Sequence, residues 1–242
     1  DFTRLSMDNV DHVEIVKGAA SALYGSNANG GVINIITKEA VQPFGLSVNG
    51  RIGRHNEQRY GLSWQQGGEK LTNLFNVSRT RMDNYEVKSG DHPVTRVFST
   101  IYGDAVWNFK NQLTYRCTDR FKLTGRAGYF FRQLTRTADA PERYRDLSAG
   151  LRGQWAISET DHLELSYAFD EYDKSDYQKR MRLDIRDYAN VQNSLRLLYS
   201  HSLGDDILLM GADYLHDYIF NDKLVGRTRR QDAVDAFAQY DW

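Results

Sequence analysis

From Leu46 to Trp242 apolar and polar residues alternate, and a period of two is the signature of strands with one face in each environment. Phe121, Leu123, Gly125, Ala127, Tyr129 and Phe131 interleave with Lys122, Thr124, Arg126, Gly128, Phe130 and Arg132. Leu147, Ala149, Leu151, Gly153, Trp155 and Ile157 interleave with Ser148, Gly150, Arg152, Gln154, Ala156 and Ser158. The same rule runs through 46–53, 58–66, 71–81, 107–116, 162–170, 191–203, 207–221 and 232–242, which predicts about ten strands. Trp107, Tyr129, Phe131, Trp155, Tyr240 and Trp242 lie near strand ends on the apolar side, where aromatic girdles meet the two surfaces of a bilayer.

Connection length sharpens this reading. Tight turns are expected at 66–70, 118–120, 158–161 and 204–206, and long polar links at Met82–Ala105, Thr137–Asp146, Asp173–Ala189 and Asn221–Gln231. Short turns at one end and long loops at the other are the rhythm of an outer-membrane barrel, with strands of about 9–11 residues. Arg54 to Glu57 is a short link on the long-loop side, and the patterns at 167–177 and 214–220 run beyond the membrane band. By parity Arg126, Arg152 and Glu164 face the lumen, and Tyr129, Leu151 and Leu165 face lipid.

Before Pro43 the texture differs. Val10 to Gly18 reads as a strand, 19–24 as a short helical turn, and 25–31 as a Gly- and Asn-rich loop tolerant of left-handed backbone. Val32 to Lys38 reads as a buried strand. Composition agrees with strands and turns: 242 residues with Gly 19, Tyr 15, Phe 11 and Pro 3. The formal net charge of −1 gives no basic excess for nucleic acid. One cysteine, Cys117, allows no internal disulfide and reads as a small strand residue. No apolar run is long enough for a transmembrane helix, and Asp1 to Arg4 lacks the apolar core of a signal peptide.

The run Val13-Glu14-Ile15-Val16-Lys17-Gly18-Ala19-Ala20-Ser21-Ala22-Leu23-Tyr24-Gly25-Ser26, followed by Gly30-Gly31-Val32-Ile33-Asn34-Ile35-Ile36-Thr37-Lys38, closely resembles the end of the plug domain of TonB-dependent receptors. The resemblance makes Gly18, Tyr24, Gly25, Gly30 and Gly31 architectural. It implies residues 1–42 as the C-terminal part of an α+β plug and 43–242 as the first part of a transmembrane antiparallel β-barrel. The expected fold class is all-β, about 10 of roughly 22 strands. A signal peptide, a TonB box and the rest of the plug are expected before Asp1, and further strands after Trp242.

The implied activity is uptake of a scarce nutrient across the outer membrane: a ferric siderophore or haem, with cobalamin as the alternative. The implied partners are TonB, the small-molecule cargo, outer-membrane lipid and lipopolysaccharide. Arg136, Arg143, Tyr144, Arg145, Arg180 and Arg182 combine charge with an aromatic ring, as a catecholate requires, and equally suit loops facing lipopolysaccharide. His55 and His92 are candidate axial haem ligands. Asp170, Asp173 and Asp176 offer oxygens for Ca²⁺ in an outer loop, although their spacing fits no strict calcium loop. No resident cofactor and no catalysis are expected. Ten-stranded outer-membrane proteases, porins and adhesins share the strand rhythm, but the plug motif separates them from this chain.

Overall fold

The computed structural model describes residues 10–17, 31–37, 43–89 and 97–242. Strands β1 (Val10–Lys17) and β2 (Gly31–Thr37) pair antiparallel, setting Val13 opposite Ile35 and Ile15 opposite Ile33. Gly31 opens β2 at φ +130, and a Cβ there would meet the Val16 carbonyl oxygen at 2.5 Å. Only glycine fits that approach. The helical turn expected at 19–24 lies outside the described residues, as do Gly18, Tyr24, Gly25 and Gly30.

The larger sheet has ten strands. They are β3 (Phe44–Ile52), β4 (Gln58–Gly67), β5 (Leu71–Arg81), β8 (Asp104–Arg116), β9 (Phe121–Leu134), β10 (Glu142–Ala156), β11 (Asp161–Gln178), β12 (Leu183–Leu203), β13 (Asp206–Asn221) and β14 (Thr228–Asp241). Each pairs antiparallel with the next in a meander. The exception to sequence order is a separate hairpin, β6 (Tyr85–Ser89) with β7 (Val97–Ile101), inserted between β5 and β8.

Strands β3 to β5 have 9, 10 and 11 residues, the expected span. From β8 onward the strands run to 13–21 residues, longer than expected. The long links shrink accordingly. The link expected at Asp173–Ala189 is mostly strand, since pairing continues to Gln178 opposite Leu183 and leaves a turn at 179–182. The link at Asn221–Gln231 narrows in the same way, with Phe220 opposite Thr228. Met82–Ala105 contains the β6–β7 hairpin rather than open loop. The reason is common to all: hairpin arms that keep pairing leave the bilayer with their backbone groups satisfied. The short turns fall where expected, and Gly204 takes φ +68 in one of them. Cys117 lies one residue past β8, its N–H donating to the Phe121 carbonyl at 2.9 Å, rather than inside a strand.

Register fixes the two faces. Arg126, Arg152 and Glu164 share one face, and Tyr129, Leu151 and Leu165 the other, as the alternation requires. Leu151 is 51% exposed and Leu165 50%. Val48, Leu62, Leu113, Leu197, Met210 and Val234 continue this apolar belt across the sheet. In water so broad an apolar surface is a liability; against lipid it is the normal exterior of a barrel. The opposite face carries Leu74, Val106, Phe130 and Leu134, all buried. A curved sheet crowds side chains on its concave face and splays them on its convex one. Gly211 makes room on the concave face, since a Cβ there would stand 2.3 Å from the ring of Phe237.

No helix among the described residues is long and apolar enough to cross a membrane. Substituting Leu151→Arg in the full-length protein should cost about 2–4 kcal/mol of stability, because its site is near the middle of the lipid band. Reversible urea unfolding in bilayers measures this; an unchanged midpoint would reverse the facing assignment.

Candidate functional site

At the long-loop end of the concave face, one cross-strand row runs Arg132, Tyr144, Lys174, Tyr188 over β9 to β12. Cation and phenol ring alternate along it. The Arg132 guanidinium sits 5.7 Å from the Tyr144 ring centre. One row deeper, Tyr172 meets Tyr188 edge-on at 6.2 Å. A β-bulge in β12 places Asp187 beside Tyr188, where it accepts from Lys174 Nζ at 3.2 Å. Bulges re-aim a side chain in this way.

Carboxylates ring the row from above. Asp104 accepts from Arg132 Nε at 2.8 Å. Glu142 accepts from the Tyr144 hydroxyl and lies 3.6 Å from Arg136 and 4.0 Å from Lys174. Burial, then the hydrogen bond to Glu142, pushes the Tyr144 hydroxyl up from its ordinary pKa, so it stays protonated and donating. Burial and the neighbouring charge of Asp187 raise the Asp176 carboxyl, and Lys174 opposes this. The row therefore offers ring faces for stacking and two cations for an oxyanion, each cation held in place by a carboxylate.

The other candidates are distributed by parity. Arg143 and Arg145 lie on the convex face. Arg143 stacks 3.4 Å above the Tyr177 ring and pairs with Asp184 at 3.4 Å; Arg145 pairs with Asp184 at 3.0 Å and Asp173 at 3.8 Å. That ion-pair layer covers Ser175, which is 1% exposed. Arg136 is at the loop edge, 6.0 Å from the Tyr102 ring centre. Arg180 and Arg182 are exposed in the turn at 179–182, Arg182 with φ 52. Of the basic cluster read from the sequence, only Tyr144 and Arg136 belong to the concave mouth.

His55 adopts a left-handed φ of 58 in the Arg54–Asn56 turn and stacks on Tyr85 at 3.9 Å. Its carbonyl accepts from the Asp83 N–H, so the first loop is tied to the β6–β7 hairpin rather than aimed into the mouth. His92 lies outside the described residues. Asp170, Asp173 and Asp176 do not converge: Asp173 is on the convex face with Arg145 and Arg186, and the other two are on the concave face. No metal-holding group of three or more His, Cys, Asp or Glu exists among the described residues.

Arg132, Tyr172, Lys174 and Tyr188 lie inside strands, whereas the sequence pattern points to loops. A signal existed: in the strand extensions, aromatic residues appear at the positions whose parity points to the lumen.

Comparison with known proteins fits this geometry. A family model described as TonB-dependent Receptor Plug Domain matches residues 1–32. The vitamin B12 transporter BtuB of Vibrio cholerae is 43% identical over 63 residues, 26% of this chain and 10% of that protein. The ferric enterobactin receptor of Pseudomonas aeruginosa is 34% identical over 99 residues, 37% of this chain and 13% of that protein. In fold, the crystal structure of the Pseudomonas aeruginosa ferric enterobactin receptor PfeA gives a TM-score of 0.78 at 15% identity, covering 99% of this chain and 43% of that one. The ferric-catecholate import receptor Fiu of E. coli gives 0.70 at 12% identity, covering 89% and 40%. The chain thus spans less than half the length of these relatives. A plug-domain ending and ten meandering strands of receptor-barrel fold make this chain similar to TonB-dependent outer-membrane receptors over part of their length.

Proposed function

We propose that the receptor containing this chain imports a metal chelate, a ferric siderophore of catecholate type, driven by TonB acting on the plug. The observation that carries this is the Arg132–Tyr144–Lys174–Tyr188 row at the outer mouth of the barrel wall. Catecholate oxygens suit the guanidinium and ammonium groups, and catechol rings suit the tyrosine faces. A receptor of related sequence carries ferric enterobactin by name, and receptors of related fold were solved with enterobactin. Cobalamin is the second reading, favoured by the BtuB likeness over 63 residues. Haem is less favoured, because His55 is occupied by Tyr85. The reading is of transport and not catalysis.

The deciding experiment is tryptophan-quenching titration of the full-length receptor in detergent with ferric enterobactin, haem and cobalamin in turn. Saturable sub-micromolar binding of the catecholate alone is expected; preferential binding of cobalamin would move the assignment to the second reading. Tyr144→Ala and Tyr188→Ala should each weaken catecholate binding by about 1 kcal/mol, roughly fivefold, with the fold unchanged.

Asp176 gives a pH test. A carboxyl that holds its proton more tightly when folded lowers stability as pH rises from its unfolded to its folded pKa, and the deficit persists at neutral pH. Asp176→Asn should therefore stabilise the receptor at pH 7, and this advantage should vanish near pH 3, where wild-type Asp176 is protonated in both states. Denaturant midpoints at the two pH values check it.

A further inference from the structure

Three ladders of the large sheet end at one level of the outer rim. The β5–β8 pairing stops at Arg81 opposite Ala105, the β8–β9 pairing at Asp104 opposite Leu134, and the β9–β10 pairing at Leu134 opposite Glu142. Just beyond, the chain leaves β5 for the β6–β7 hairpin and returns to β8 through Gly103. The side chain of Asn84 joins these ends. Its Oδ1 accepts from the Gly103 N–H at 2.7 Å, and its Nδ2 donates to the Thr135 carbonyl at 3.1 Å. Backbone bonds complete the junction. The Met82 N–H donates to the Asp104 carbonyl at 2.9 Å, and the Thr135 N–H to the Gly103 carbonyl at 3.3 Å. Gly103 is buried, and a Cβ there would stand 2.1 Å from the Met82 carbonyl oxygen, so the two segments cross in direct contact. A buried backbone group at a strand end needs a partner. A carboxamide serves an N–H and a carbonyl at once.

The residues held here adjoin the candidate site. Asp104 follows Gly103 and accepts from Arg132 Nε at 2.8 Å. Leu134 precedes Thr135 and stands opposite Glu142, which accepts from the Tyr144 hydroxyl. Arg136 follows Thr135 and lies 3.6 Å from Glu142 and 6.0 Å from the Tyr102 ring centre. We propose that Asn84 is a positioning residue of the outer mouth. By tying the root of the β6–β7 hairpin to the ends of β8 and β9, it holds Asp104 and Glu142 where they orient Arg132 and Tyr144. Its effect on ligand affinity rests on the catecholate reading above; its effect on the strand ends does not.

The test uses the full-length protein in detergent and has two readouts. The first is ferric enterobactin affinity by tryptophan quenching. Asn84→Ala should weaken it about fivefold, the scale of a buried N–H left without its partner. In a background of Arg132→Gln with Tyr144→Phe the carboxylates have nothing to orient. There the same substitution should change affinity by less than about twofold, the scatter of independent changes. An equal loss in both backgrounds marks a merely structural role and overturns the proposal, as does no loss in either. The second readout is amide hydrogen exchange of the ligand-free protein by mass spectrometry. Asn84→Ala should speed exchange at 102–105 and 133–136 and leave 116–121, at the other end of the same strands, unchanged. Unchanged exchange at the rim, or faster exchange throughout the sheet, overturns the proposal. Should Asn84→Ala not fold, Asn84→Asp takes its place. It keeps the acceptor for Gly103 and loses the donor to Thr135, so the same affinity pattern is expected, with faster exchange at 133–136 alone. If wild type does not bind ferric enterobactin, the catecholate reading fails, and exchange alone decides the role of Asn84.

Discussion

Everything in this structure depends on the backbone ladder that joins β3 to β14 without a break. Within hydrocarbon, each unpaired N–H or carbonyl costs several kcal/mol, so a strand enters a membrane only with a neighbour on each side. The ladder holds Leu151 opposite Tyr167 and Gly125, and thereby fixes which of its neighbours point to lipid. Slipping β10 by a single residue would turn Arg152 outward and Leu151 inward. The energetic penalty of charge in lipid therefore selects the register, and the register places every functional side chain. Among the described residues β3 and β14 each have one neighbour in this sheet.

The same ladder explains how a mouth is built. Strands β10 to β13 do not stop at the bilayer surface but continue as paired arms. Above the membrane the convex face no longer needs to be apolar, and it becomes a layer of ion pairs among Arg143, Arg145, Asp173, Asp184 and Arg186. The concave face there becomes the row of Tyr and cationic residues. A bulge at Asp187 and a stacked His55–Tyr85 pair are local departures from regularity at this rim. Wall and mouth thus differ in chemistry while sharing one hydrogen-bonding pattern.

The concave face differs in charge from end to end. At the outer end carboxylates outnumber cations, and each cation of the row is clamped by one of them, so capture there relies on geometry and on ring faces. At the short-turn end of β8 to β11 the balance reverses, with Arg116 opposite Lys122. Such segregation along one wall creates a directional field for any charged species in the lumen.

The sequence by itself determined the strands and their facing, and it carries the likeness to a plug-domain ending. Alternation with a period of two is a local property, and the transfer cost of each side chain writes it directly into the chain. Thus Leu151, Leu165 and Tyr129 were legible as lipid-facing, and the run from Val13 to Lys38 as plug, without coordinates. Only the tertiary structure decided the site. Whether Arg143 faces a ligand or Asp184 depends on which strand pairs with which, how far the pairing extends, and where a bulge shifts parity. Those are cross-strand facts between residues up to 41 apart in the chain. Single-strand periodicity carries the direction of a side chain but not the identity of its neighbour, so Asp170, Asp173 and Asp176 could look like one cluster and fold onto opposite faces.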